Sequence, residues 1–252
     1  MQDGNNPLNS PVSRRSMLKR SGLIAAGASL GFAGLFAGAE DAMAQRRATN
    51  HDRMDDVATI ANLAATAETL AATSYYGTLA QGSFSLSNFQ RQYLALAMSS
   101  ELWHLDILES LGGRALAQEF YIPEKFLTDL ATNVQTFIAA ETAFIGAYLA
   151  ATRRFAELNQ PRLAGTTAQH AATEAEHLAL TRLVGGFIPN PNALPAPIYY
   201  NVSDAGPTLA PFLTGGSGFI GPVKFPGKDA IRALAERLNA TSLRVPPFTN
   251  VF

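Results

Sequence analysis

The 252-residue sequence contains no cysteine. Disulfides, thiolate metal ligation, a cysteine nucleophile and a cysteine-borne lipid anchor are therefore excluded. Any metal must be held by imidazole and carboxylate, a donor set that favours Fe, Mn or Zn over softer ions. Charge is also scarce, with 15% charged against 47% hydrophobic residues, which describes a packed core rather than a disordered chain. The formal net charge is only -1, and no basic run lies beyond the first twenty residues. Nothing in that pattern provides for binding a nucleic-acid backbone.

Long uninterrupted apolar runs are missing as well. The longest weakly apolar stretch, Ser21 to Ala39, is diluted by Gly22, Gly27, Gly31, Gly34 and Gly38. It follows Ser13-Arg14-Arg15-Ser16-Met17-Leu18-Lys19, which has the twin-arginine form with Met17 where a Phe is more usual, and it precedes an A-x-A site at Ala42-Met43-Ala44. Residues 1–44 are thus expected to be a signal peptide, with an extracytoplasmic or periplasmic mature chain from about Gln45 and no membrane span in it. The alternative is a retained anchor.

What is present is helical periodicity. Four long helices are expected: roughly Asp55 to Leu79; from the capping-box pattern Ser87-x-x-Gln90 to Gly112-Gly113; roughly Asp129 to Leu158; and from Pro161 to Gly185-Gly186. The decisive feature is an internal repeat at an offset of 73 residues. Glu68 maps to Glu141, Tyr75 to Tyr148, Glu101 to Glu174, His104 to His177, and Gly112-Gly113 to Gly185-Gly186. Two helix pairs of one design therefore face each other, most simply across a pseudo-twofold axis. The linker from Gly113 to about Thr128 is long enough to cross over the length of the helices, and Ile122-Pro123-Glu124 is expected to open a short helical turn. Residues 187–252 change character, because ten of the 14 prolines fall between Pro189 and Pro247. This extension is expected to be irregular but ordered, with one amphipathic helix from Asp229 to Asn239. It either caps the helices or makes a homo-oligomer contact.

Glu68 and Glu141 each sit mid-way along an apolar helical stripe, and Glu101–His104 and Glu174–His177 lie on similar faces. Four buried glutamates would be costly as bare anions, whereas two divalent cations neutralise them. In a Glu-x-x-His spacing the carboxylate and the imidazole lie one turn apart, so both reach an ion between the helices. The expected metal ligands are Glu68, Glu101, His104, Glu141, Glu174 and His177, with Glu68 and Glu141 as the bridging carboxylates. Tyr75 and Tyr148 follow the lone glutamates by seven residues. They either hydrogen-bond a ligand carboxylate, carry an electron or simply pack. His170 breaks the repeat, since its counterpart is Ala97; it is an extra ligand, a base behind the ligands, a residue of an entry path or an ordinary buried histidine. Trp103 is expected to pack between helices, and His51 has no assigned role.

Two Glu-x-x-His motifs with matched lone glutamates resemble the ferritin-like superfamily of di-iron and di-manganese carboxylate proteins. Within it the chain resembles exported bacterial ferritin-like domain proteins, some grouped with desiccation-related proteins. The resemblance covers about residues 55–186 and implies an all-α, ferritin-like four-helix bundle over 45–186. It also implies two divalent ions, Fe or Mn, and oxidoreductase chemistry on small oxidants of the ferroxidase, peroxidase or catalase kind. The alternatives are a non-catalytic metal-binding or stress-protective envelope protein, and iron storage. Superfamily membership alone does not choose among them.

Overall fold

A computed structural model describes residues 54–251; the signal-like segment and His51 lie outside the described residues. Four long helices dominate: α1 (Val57–Gln81), α2 (Asn88–Ser110), α3 (Leu130–Glu157) and α4 (Pro161–Val184). Their starts follow from local chemistry. Asp56 accepts from Thr59 N at 2.7 Å, and Asp129 accepts from Thr132 N at 2.9 Å. Ser87 and Gln90 close a reciprocal capping box, and Pro161 stands in the first turn of α4. Each cap satisfies donors that the helix itself leaves unpaired.

Contacts along the helices fix their directions. Gln90 donates to Val184 O at 3.1 Å, which joins the start of α2 to the end of α4. Arg154 donates to Asp55 O at 2.8 Å, which joins the end of α3 to the start of α1. The linker begins beside Asn62 and Thr66, whose side chains accept from Arg114 N and Leu116 N. It ends beside Thr78 and Ser83, through Asn133, Phe126 and Leu127. It therefore runs along α1 for about 24 Å, sixteen residues at a helical rise of ~1.5 Å. α3 consequently returns antiparallel to α1, and α4 antiparallel to α2.

The linker departs from the expected helical turn at Ile122-Pro123. Glu119–Pro123 is a strand, β1, and the turn follows it over residues 124–128. β1 pairs antiparallel with β2 (Phe219–Lys224) of the extension, with Phe120 opposite Val223 and Ile122 opposite Ile220. Phe120 and Ile122 are buried, so the aromatic and β-branched run Glu-Phe-Tyr-Ile-Pro behaves as a half-buried strand. The extension also holds more helix than the expected single one: α5 (Gly206–Thr214), α6 (Lys228–Arg237) and α7 (Phe248–Val251).

Extension and helices share their cores. Ile231, Leu234 and Ala235 of α6 join Leu94, Met98 and Leu102 of α2. Val202 joins Ile60 and Phe155, and Phe212 joins Leu70 and Phe120. Two glycines provide seats for it. A Cβ on Gly146 of α3 would overlap the Ile198 side chain, and one on Gly165 of α4 would come 2.7 Å from Phe248 Cγ. Among the described residues α3 alone is long and apolar enough to cross a membrane, and 67% of its apolar window is buried inside the protein.

Candidate metal centre

Each half of the repeat contributes one carboxylate from its first helix and a carboxylate–imidazole pair, one turn apart, from its second. Glu68 comes from α1, Glu101 and His104 from α2, Glu141 from α3, and Glu174 and His177 from α4. None is more than 5% exposed. Glu68, Glu101, His104 and Glu174 form one group whose ligand atoms all lie within 4.8 Å of one another; Glu101, Glu141, Glu174 and His177 form a second. Either group could hold a metal ion.

Glu101 and Glu174 belong to both groups, and their oxygens are divided between them. Glu101 places Oε2 3.2 Å from His104 Nδ1 and Oε1 2.8 Å from His177 Nδ1. Glu174 places Oε1 3.0 Å from His104 Nδ1 and Oε2 3.1 Å from His177 Nδ1. The expectation names Glu68 and Glu141 as the bridging carboxylates, whereas the residues that belong to both groups are Glu101 and Glu174 of the Glu-x-x-His motifs. The reason lies in the tyrosines. Tyr75 OH donates to Glu141 Oε1 at 2.6 Å, and Tyr148 OH donates to Glu68 Oε1. Each lone glutamate is thus tied at one oxygen and offers the other to a single group. The pairing crosses the repeat, because each tyrosine holds the glutamate of the opposite half.

The donor atoms fit a cation. Glu68 Oε2, Glu101 Oε1, Glu141 Oε2 and Glu174 Oε1 are buried with no hydrogen-bond partner. Leaving such an acceptor unpaired costs about 1–3 kcal/mol, and more when it is charged. Glu174 Oε1 comes within 3.0 Å of His104 Nδ1 without hydrogen-bond alignment, so the two atoms face a common point rather than each other. Carboxylate oxygen with imidazole nitrogen is a donor set that suits Fe and Mn, and two divalent charges balance four carboxylates.

Without an ion, the six groups must share protons. Burial, then the charges of Glu101 and Glu174, raises Glu68 well above the usual carboxylate range. Burial, then Glu174 and Glu101, does the same to Glu141. Burial also works to raise Glu101, but the charge of His177 and the hydrogen bond with His104 outweigh it and hold the group low. Glu174 is held low in the same way, mainly by His104. Burial disfavours charge on the histidines, yet the surrounding carboxylates raise both His104 and His177 well above the ordinary value.

Glu68, Glu141, His104 and His177 have raised folded-state values, so the stability they contribute is present at low pH and lost as pH rises through those values. Glu101 and Glu174 act oppositely, and only below the usual carboxylate value. The metal-free protein is expected to melt at lower temperature at about pH 8 than at about pH 5, while the metal-loaded protein shows no such fall. Metal loading in weak buffer should accordingly release protons, readable with a pH indicator. A metal-free melting temperature that rises over that interval would contradict this charge distribution.

The tyrosines are buried, and their hydroxyls are pushed well above the ordinary value by burial and then by the carboxylates beside them. They remain hydrogen-bond donors. In the metal-loaded protein, where Glu68 would be ionised, Tyr148→Phe is expected to cost about 1.5–3 kcal/mol of stability, the range for a hydrogen bond to a charged group, measured by denaturant unfolding. It should also weaken the ion on the His104 side more than the one on the His177 side.

His170 does not belong to either group. It is 2% exposed, with its ring centroid 4.5 Å from that of His104 and 4.9 Å from that of Tyr148. Burial, then the neighbouring His104, lowers its pKa to about 4. Trp103 corrects an expectation: it lies against the extension instead of between helices, donating to Val245 O at 3.0 Å with Arg244 over its ring. Tyr93 escaped sequence reasoning. Its hydroxyl donates to His177 O at 2.9 Å and so steadies the helix turn behind that ligand. Its repeat counterpart is Thr166, so the repeat carried no signal for it.

No family model, curated protein or solved structure matches the chain. Function must therefore be argued from the site itself.

Proposed function

We propose that the chain is an exported ferritin-like four-helix bundle that binds two Fe or Mn ions and acts by redox chemistry on O₂, peroxide or Fe(II). The observation that carries this reading is the division of Glu101 and Glu174, each with one oxygen toward each histidine. That arrangement suits a pair of ions sharing two carboxylates, as in ferritin-like dimetal proteins. A single structural ion would not call for two overlapping donor groups.

Glu68 and Glu141 would close the two ends of such a pair, with Tyr148 and Tyr75 fixing their orientation. Two adjacent redox-active ions would supply two electrons to one small oxidant. The protein's own part is to hold donors in a dry interior and limit access. A cavity of about 60 Å³, lined chiefly by apolar side chains of α1, α3 and the extension, has Tyr148 in its wall. That is room for a molecule the size of O₂, since a water occupies about 30 Å³. The twin-arginine segment would place this chemistry outside the cytoplasm, after folding and metal loading.

The test is turnover by metal-loaded protein. Fe(II) oxidation or peroxide consumption well above that of the free metal supports the reading. A chain that binds two ions, gains thermal stability and turns over neither substrate would instead be a metal-stabilised envelope protein.

A further inference from the structure

His170 is the one imidazole that the pairwise symmetry of the site does not explain. Its Nδ1 lies 2.8 Å from Thr166 O, and a carbonyl can only accept, so Nδ1 carries a proton. In the neutral ring Nε2 then keeps its lone pair. That atom is buried and has no hydrogen-bond partner. The ring packs against both His104, a donor of the first group, and Tyr148, which holds Glu68 of the same group. Buried imidazoles are ordinarily satisfied at both nitrogens. On the His177 side the equivalent position is Ala97, packed in the apolar core.

Resting on the dimetal reading above, we infer that His170 Nε2 is an additional nitrogen donor to the ion on the His104 side and makes the two ion positions chemically unequal. The His104 side offers two imidazoles, and the His177 side one. Added imidazole favours metals later in the divalent series, whereas the more oxygen-rich position suits Mn. The two positions therefore load in order, the His104 side first for a nitrogen-preferring ion. The hydrogen bond to Thr166 O fixes the tautomer that leaves Nε2 free, the usual role of a carbonyl behind a metal-bound histidine.

Co(II) is a suitable probe, because it is spectroscopically visible and sits later than Mn and Fe in that series. Metal-free wild-type protein titrated with Co(II) should show two resolved steps. His170→Asn keeps a donor for Thr166 O but removes the imidazole, and His170→Ala restores the repeat. In both, the tighter step should weaken by about tenfold or more while the second is unchanged. In Co(II)-loaded protein, paramagnetically shifted exchangeable imidazole N–H signals should number three in wild type and two in either variant. Unchanged affinities and an unchanged signal count in His170→Asn, which keeps the anchor, would make His170 a packing residue and overturn the inference. Wild-type protein that binds no Co(II) would overturn the dimetal reading itself. Two bound ions with no dependence on His170 would overturn the inference alone.

Discussion

Replacing Glu101 with alanine is expected to leave the chain unable to retain either ion, whereas Glu68→Ala should lose only the ion on the His104 side. The difference follows from the way the carboxylates are divided. Glu101 places one oxygen beside each histidine, so its removal takes a donor from both groups at once. Glu68 belongs to one group alone, and its other oxygen is held by Tyr148. Affinity for both ions should fall by about a hundredfold or more in Glu101→Ala, beyond what is lost when a residue behind a ligand is removed. Protein loaded anaerobically with Fe(II) or Mn(II), desalted and submitted to elemental analysis should carry about two ions in wild type, one for each of the overlapping donor groups. Glu68→Ala should retain about half of that content and Glu101→Ala almost none. If Glu68→Ala lost both ions and Glu101→Ala kept one, the assignment of the shared carboxylates would be reversed.

Glu68→Gln is expected to make the metal-free protein more stable while damaging metal binding. Glu68 is buried against Glu101 and Glu174, and burial together with those charges raises its pKa well above 4.5. At neutral pH the unfolded chain holds it ionised and the folded chain favours the proton. Between the unfolded and the folded value that preference for the proton costs up to about 1.4 kcal/mol for each pH unit. Glutamine is neutral from the start. Its carbonyl can still accept from Tyr148, and its amide can donate to a neighbouring carboxylate. The gain should thus grow as pH rises above the unfolded value, and each kcal/mol gained raises the melting temperature by about 2–4 °C in a chain of this size. It should shrink toward zero as pH falls to the unfolded value, where the carboxyl is neutral in both states. Thermal melts of metal-free wild type and variant at several pH values measure this directly. A variant less stable than wild type at pH 7 would show that Glu68 is ion-paired in the folded protein instead of strained.

Such a trade between stability and binding marks residues retained for chemistry. It is also why the six clustered carboxylates and imidazoles were legible in the sequence. Glutamate in the middle of an apolar stripe contradicts the local pattern, and the contradiction recurs at Glu68 and Glu141. Helix limits were equally readable, since Ser87, Gln90, Asp129 and Pro161 sit where unpaired helix ends need them. Harder to read were features that depend on two distant segments at once. β1 has a strand-like composition, but its partner, β2, lies about a hundred residues away and outside the repeat. Which glutamates are shared depends on the tyrosine pairing, and a seven-residue spacing along one helix says nothing about which opposing carboxylate a hydroxyl will reach. Trp103 went astray for the same reason, as its partner Val245 belongs to the extension.

The extension's last turn has a consequence for how this protein should be handled. Phe248 N donates to Gln169 Oε1 at 2.7 Å, and Thr249 N donates to Thr166 Oγ1 at 3.1 Å. The carbonyl of that same Thr166 accepts a hydrogen bond from His170 Nδ1. A peptide tag fused just after this turn, or a protease that trims it, acts on a residue whose backbone orients an imidazole beside the metal centre. Tagged and untagged preparations are therefore expected to differ in metal content even though the tag touches no ligand. Placing the handle ahead of α1 avoids the confusion.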